Sequence, residues 1–294
     1  MNKIIIPTNY DYIGVYLTDK CHLSCSYCIT RHHDAPFGKV KYDYLQPEEW
    51  IKGLNRLVLP NDVPVTLQGG EPFLYKGIWE ILDSVEHKVD IMTALPSNVT
   101  IEQFNNLASL DWNKRPAPYP TIRVSYHQGQ NNYKELVERI AELQEVVSIG
   151  LYYLDHPGMQ DEIADLRKYA KKYKIELRSK EFLGGYNGQT YGTFLYPGAA
   201  QGKRQGISVL CKNTVVPIAP DGAIYRCHSD LYFNRHDLAL GSILTSNFVF
   251  PTSHLPCSRF GLCSECDVKI KTNHYQVYGY TSVDIKFQTE EVAQ

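Results

Sequence analysis

The sequence predicts an α/β protein: about six strand–helix units curled into a full or partial barrel, followed by a small β-rich, cysteine-containing domain. Three observations carry this. Short β-rich runs alternate with helical patterns over the first two-thirds of the chain, which argues for a parallel sheet with right-handed crossovers. From Gly184 the texture turns glycine-rich and then to short β segments. The 8 cysteines are unevenly placed, three between 21 and 28 and five from 211 onward.

Residues 12–17 (YIGVYL) read as the first core strand and end just before Thr18-Asp19-Lys20-Cys21. Residues 46–59 read as a helix, with Pro47 near its start and Trp50, Ile51, Leu54, Leu57 and Val58 at helical spacing. Residues 64–68 form a strand that runs into Gly69-Gly70-Glu71-Pro72, and 78–85 form the next helix. Residues 89–95 are strand-like and precede Pro96-Ser97-Asn98. Residues 101–110 are helical, with Thr100 as N-cap and Glu102 and Gln103 in the first turn. Strands follow at 121–126, 146–154 and 175–182, separated by helices at 133–143 and 160–173. The largely apolar run 146–154 suits a strand buried on both faces. Domain boundaries are placed at 1–184, a glycine-rich linker at 185–206, and 207–294. In the last part, strands 215–219 and 223–226 flank the turn Pro220-Asp221-Gly222.

Composition narrows the function. Lys+Arg is 30 and Asp+Glu 32, a net charge of −2, so the basic surplus of a nucleic-acid binder is missing. Hydrophobic residues are 43% and charged residues 21%, which suits a folded chain with a sizeable core. No apolar run approaches the roughly 20 residues of a membrane helix, and residues 1–10 lack a signal-peptide pattern. The expectation is a cytoplasmic protein with reduced thiols, no nucleic acid and no membrane, whose clustered cysteines bind metal.

Cys21-x3-Cys25-x2-Cys28 follows a strand at the head of a loop. Three thiolates in one loop suit three corners of a 4Fe–4S cluster, leaving one iron open. A zinc site is the alternative, with His22, His32 or His33 as fourth ligand. A glycine pair after a strand is by itself most simply a turn.

Cys21-His22-Leu23-Ser24-Cys25-Ser26-Tyr27-Cys28, with the aromatic Tyr27 before the last cysteine, resembles the cluster loop of the radical S-adenosylmethionine (radical SAM) superfamily. Gly69-Gly70-Glu71-Pro72, at the following strand end and about forty residues on, resembles that superfamily's GGEP segment. The resemblance implies a partial (β/α)6 TIM-like barrel and a 4Fe–4S cluster on Cys21, Cys25 and Cys28. It implies S-adenosylmethionine (SAM) on the open iron, cleaved to a 5′-deoxyadenosyl radical that abstracts hydrogen from a substrate. It assigns Tyr27 and the GGEP residues to the cofactor site, the glycines letting the backbone approach SAM's methionine part. Ser97-Asn98 resembles the polar pair that meets the ribose, and Ser125 ends a strand where it could do the same. Arg178 and Lys180 alternate and so share one face, so that one could reach the SAM carboxylate or both could be solvated charges. Tyr152-Tyr153 offers adenine contact or core packing.

Cys211, Gly222 and Cys227, then Cys263-x2-Cys266, resemble the shortened SPASM pattern called twitch, which implies a second, auxiliary 4Fe–4S cluster on those four cysteines. Zinc is the alternative there too. Cys257 is left over: a buried apolar cysteine, a substitute ligand, or a catalytic hydrogen-atom donor. His228 reads as an outer hydrogen-bond donor or a solvated loop residue, and Phe260-Gly261-Leu262 as packing that dries the cluster.

The resemblance further implies an oxidoreductase fed by a flavodoxin- or ferredoxin-type reductant. The substrate expected is a peptide or peptidyl residue undergoing oxidation, crosslinking or epimerisation. A small molecule in cofactor or natural-product biosynthesis is the runner-up. Tyr186, Tyr191, Tyr196 and Tyr225 could line the substrate cleft or simply pack. A non-catalytic electron-transfer or zinc-binding protein is the competing class.

Overall fold

The computed structural model describes residues 2–28, 30, 37–60, 63–107, 119–182, 184–192, 207–245, 248–260 and 283–287. The expectations at His32, His33, Tyr196, Gly261, Leu262, Cys263 and Cys266 lie outside the described residues.

The chain opens with β1 (Ile4–Ile5) and β2 (Tyr12–Thr18), then α1 (Pro47–Leu54) and β3 (Leu57–Val58). The barrel continues through β4 (Val65–Gly69), α2 (Ile78–Ser84), β5 (Val89–Thr93), α3 (Ile101–Asn105) and β6 (Ile122–Tyr126). It ends with α4 (Tyr133–Leu143), β7 (Ile149–Asp155), α5 (Gln160–Lys172) and β8 (Leu177–Glu181). Next come β9 (Gly184–Tyr186), β10 (Gln189–Tyr191), β11 (Ile207–Asn213), β12 (Val215–Ile218) and β13 (Ala223–Ile224). The described part closes with α6 (His228–Tyr232), β14 (Gly241–Ser242), β15 (Leu255–Phe260) and β16 (Val283–Phe287).

Strands β2, β4, β5, β6, β7 and β8 pair in that order, all parallel, as the alternation required. Their apolar side chains alternate outward. Ile13, Val15, Leu17, Val65, Leu67, Ile91, Val124 and Leu151 join the helix-covered core, into which α1 sends the fully buried Trp50 and Leu54. The other face is polar: Tyr12, Thr66, Gln68, Asp90, Arg123 and Tyr152 are all buried there. The sheet therefore has one apolar and one polar side, and the polar side is the concave one.

The edges depart from the sequence reading. β12 adds in parallel to the free side of β2, with β13 and β14 beyond it, so one nine-stranded sheet crosses the boundary placed at 207. With β14 and β8 at its ends, the barrel is open. Among the described residues from 207 onward, β11, β15 and β16 form a separate three-stranded sheet. The helix expected over 46–59 stops at Leu54. Residues 57–58 turn into β3 because their backbone is claimed by β1, and Arg56 is pinned to the carbonyls of Asn2 and Ile243. The linker assigned to 185–206 starts with a hairpin, β9–β10, turned at Asn187 and Gly188, both with positive φ. Thr100 does begin α3, and the Gln103 side chain accepts from its N–H at 2.8 Å. No helix among the described residues is long and apolar enough to cross a membrane.

Candidate metal centre at the mouth of the barrel

Barrel proteins place their chemistry at the C-terminal ends of the strands, and the cysteine loop leaves the end of β2 there. Cys21, Cys25 and Cys28 are all half-buried and in no disulfide. The loop closes on itself through Cys28 N–H to the Cys25 carbonyl at 3.2 Å, and Leu23 N–H points at Cys21 Sγ at 3.4 Å. Burial pushes the Cys25 thiol up to about 11, and the nearby Cys28 and Cys21 add to it. A bound cation would favour the thiolate form that metal ligation requires. By residue type the donor set is that of a thiolate-ligated iron–sulfur cluster, although among the described residues no three such side chains are drawn together into a site for a single metal ion.

Gly69 and Gly70 explain how the loop is seated. The Gly69 φ is +146°, and a Cβ there would lie 2.2 Å from the Thr18 carbonyl oxygen. A Cβ on Gly70 would meet the Lys20 and Asp19 carbonyl oxygens at 2.3 and 2.6 Å. Both glycines instead admit hydrogen bonds at 2.8 Å from Gly70 N–H to Thr18 and from Glu71 N–H to Lys20. What they let approach is the backbone leading into the cysteine loop. Gly70→Ala is expected to push residues 19–20 away, at about 1–3 kcal/mol of stability. The variant should retain less iron after reconstitution than wild type, measured as iron per chain.

Glu71 is fully buried. Its carboxylate accepts from Phe73 N–H (3.1 Å), Thr93 Oγ1 (2.7 Å) and Ala94 N–H (2.7 Å), tying the end of β4 to the end of β5. The cofactor-contact expectation for this side chain gives way to a scaffold role, because its oxygens are taken up by the protein. Burial raises its pKa to about 7, opposed by those three hydrogen bonds. The folded state thus binds a proton more tightly than the unfolded chain. Stability is expected to fall as pH rises from about 4.5 to about 7, and to level off above. In Glu71→Gln this part of the slope should vanish from urea-unfolding midpoints. Pro72 is buried and starts a 3-10 turn over Pro72–Leu74.

The remaining sequence-derived residues divide. Ser97 and Asn98 are exposed in the turn after β5. Arg139 of α4, which the sequence did not single out, fixes this turn by donating to the carbonyls of Leu95, Pro96 and Val99. Ser125 lies on the inner face, beside Tyr152 in register, and Arg178 is opposite Tyr152 in turn. Lys180 sits 5.5 Å above the Tyr152 ring, while Arg178 pairs with Glu176, so neither is a freely solvated charge. Tyr153 faces the other way and accepts from Arg167 at 2.6 and 2.9 Å.

Tyr27 meets a residue the sequence did not flag. Its ring stacks on His127 (6.1 Å, 25°), with Oη 3.3 Å from Nδ1. Burial, with Lys180 and His22 nearby, lowers the His127 pKa to about 4, so this imidazole is neutral.

Cys211, Cys227 and Cys257 line one cavity, with Arg226 and Asp230 joined by a 2.6 Å ion pair in its wall. Val209 pairs with Cys257 and Cys211 with Leu255, which sets the two cysteines diagonally on one face of β11–β15. Burial pushes Cys211 up to about 12, with Cys257 adding to it, and pushes Cys227 well above the usual thiol value. Cys257 is thus half-exposed beside Cys211 rather than an isolated core thiol. His228 is not solvated. It packs against Tyr12, Tyr16 and Tyr232, and burial lowers it to about 4. Phe260 anchors the small apolar cluster bordering Cys211 and Cys257. Among the named tyrosines, Tyr225 is core, bonded to His236 at 3.0 Å, whereas Tyr186 and Tyr191 sit on the β9–β10 hairpin.

An open parallel barrel with three thiols on one loop at its C-terminal mouth is the arrangement expected of a barrel protein that holds a metal group there. Residues 15–155 match the radical SAM superfamily, the family whose cluster loop and GGEP segment the sequence resembles. That family's cofactors are a 4Fe–4S cluster and SAM. The chain is 24% identical over 188 residues to GTP 3′,8-cyclase of Campylobacter lari, covering 60% of this chain and 57% of that one. It is 34% identical over 96 residues to the sporulation killing factor maturation protein SkfB of Bacillus subtilis, covering 33% and 20%. The chain spans about half the length of the curated cyclases it matches. Its fold resembles that of hexahistidine-tagged anSMEcpe with bound AdoMet, at TM-score 0.50 and 13% identity, covering 79% of this chain and 74% of that one.

Proposed function

We propose that the chain is a SAM-cleaving enzyme that modifies a peptide or peptidyl residue. The observation that carries it is the seating of the Cys21–Cys25–Cys28 loop on Gly69-Gly70 at adjacent strand ends. When bound, the cluster supplies the electron that splits SAM into methionine and a radical able to take hydrogen from an unactivated C–H bond. The three thiolates hold the cluster, and the Gly69–Gly70 backbone, Tyr27, Ser97, Asn98, Ser125 and Arg178 line the place for SAM.

The inner face supplies the substrate's partners. Gln68 Nε2, Arg123 Nε and Tyr152 Oη are buried and lack a hydrogen-bond partner among the described residues. Two of these groups can only donate, which suits a substrate rich in carbonyl acceptors, as a peptide is. The likeness to SkfB supports the same reading. A small-molecule substrate is the second reading, favoured by the longer alignment to the GTP cyclases.

An auxiliary 4Fe–4S cluster on Cys211, Cys227, Cys263 and Cys266 completes the proposal. The cavity shared by Cys211, Cys227 and Cys257 supports Cys257 as a ligand in place of one of them, ahead of hydrogen donation. We place the enzyme in the cytoplasm, as an oxidoreductase reduced by a flavodoxin or ferredoxin. Anaerobic reconstitution followed by iron and zinc analysis, then SAM and a strong reductant with 5′-deoxyadenosine as readout, tests it. Zinc in place of iron would leave only the binding-module class, and iron without 5′-deoxyadenosine only electron transfer.

A further inference from the structure

The cysteine loop is also held from across the barrel mouth. Ser24 N–H, next to Cys25, donates to Gln130 Oε1 at 2.9 Å. On the other side of Cys25, immediately before Cys28, Tyr27 makes its stack and hydrogen bond with His127. Both partners sit on the loop between β6 and α4, and β4 and β5 separate β6 from the strand that carries the cysteines. That loop is itself braced. His127 N–H donates to Asn131 Oδ1 (3.0 Å), Gln130 N–H to the His127 carbonyl (3.0 Å), and Gln128 Nε2 to the Leu154 carbonyl (2.7 Å). Gly129 takes φ +73° to close the turn.

We infer that His127 and Gln130 are positioning residues, a strut that fixes the distal half of the cysteine loop relative to the barrel. The inference rests on the cluster assignment made above for Cys21, Cys25 and Cys28. The physical reason is economy of constraint. The near end of the loop is fastened at Thr18–Lys20 by the glycine pair, but Cys25 and Cys28 lie beyond it. A loop tethered at one end leaves those two thiols free to drift, and a loop tethered at both ends holds their spacing before metal arrives. Outer groups that orient ligands act on retention and on the cluster's electronic properties rather than on the fold.

The test compares reconstituted wild type with Gln130→Ala, Gln130→Glu and His127→Phe. Gln130 is exposed, so its replacement is expected to leave thermal unfolding and far-UV circular dichroism unchanged. The readouts are the rate of iron loss to a chelator and the midpoint potential, followed on the cluster whose electron paramagnetic resonance spectrum responds to SAM. Gln130→Ala should lose iron roughly five- to ten-fold faster, the weight of one hydrogen bond, with a shifted potential. His127→Phe keeps a ring on Tyr27 and should show a smaller change. Gln130→Glu keeps an acceptor for Ser24 N–H and should restore wild-type behaviour. Wild-type retention and potential in Gln130→Ala, or equal impairment in Gln130→Glu, would overturn the strut. Wild type that holds no iron would instead remove the cluster assignment, and the strut with it.

Discussion

Cys25→Ala is expected to reduce 5′-deoxyadenosine formation to the level of a no-enzyme control while leaving the chain folded. Cys25 sits mid-loop, half-buried, and its side chain supports no strand or helix. Under the proposed assignment its loss would remove a cluster corner, and with it the electron that SAM cleavage would require. The effect on stability should be small, within about 1 kcal/mol, because no core contact is lost. Liquid chromatography–mass spectrometry of 5′-deoxyadenosine, with iron counted per chain, checks both halves. Cys227→Ala provides the contrast. Cys227 caps α6 through Asp230 N–H at 3.4 Å and lies in the second cavity. Its loss should lower iron content yet leave SAM cleavage measurable. Full 5′-deoxyadenosine from Cys25→Ala would show that the loop does not carry the reacting cluster. Loss of cleavage in both variants to the same degree would show that the two cysteine sets are not independent sites.

The parts of the site legible in the sequence are those encoded within a few residues. Cys21, Cys25 and Cys28 share one loop. Gly69-Gly70 announces a close backbone approach, and among the described residues Thr18–Lys20 make one. The barrel strands were legible because each is a short β-rich run beside a helix with apolar periodicity. The strut was not, since Ser24 and Gln130 are 106 residues apart and Tyr27 and His127 are 100. Neither Gln130 nor His127 stands in a pattern, and only the folded sheet brings their loop over the mouth. The docking of β12 on β2 was hidden for the same reason. A strand's partner two hundred residues away leaves no local trace, so a short β segment after a glycine-rich stretch reads as a separate domain. Asn187-Gly188 is different. It is a strong hairpin signal, obscured by the surrounding glycines, which make the segment look like a linker.

The polar inner face leads to the largest expected change in stability. Parallel strands covered on both sides are ordinarily apolar on both. Here Asp90 and Arg123 are 0% and 2% exposed and face each other at 3.4 Å. Tyr119 donates to Asp90 at 3.1 Å and lies under the Arg123 guanidinium at 5.3 Å. Burial works against the Arg123 charge, but Asp90, with Tyr12, Tyr119 and Tyr152 around it, outweighs that and holds the pKa above its usual value. Asp90→Ala would strand a buried cation with no counter-charge. The expected loss is about 3–5 kcal/mol, a large share of the roughly 5–15 kcal/mol that holds a domain folded. Urea unfolding of the variant should show a midpoint far below wild type. The double variant Asp90→Val with Arg123→Met should recover most of the loss, because removing both charges also removes their desolvation. Such recovery would leave the retention of the pair unexplained by stability, and the place to look is the inner face itself. Arg123 Nε has no partner among the described residues, so Asp90 would be holding charged a donor that faces the substrate's side of the barrel. The double variant is then expected to be stable but impaired in substrate turnover, with SAM cleavage in the absence of substrate unchanged. If Asp90→Ala instead lowers stability by less than about 1 kcal/mol, water hydrates Arg123, and the inner face is open enough to admit solvent as well as substrate.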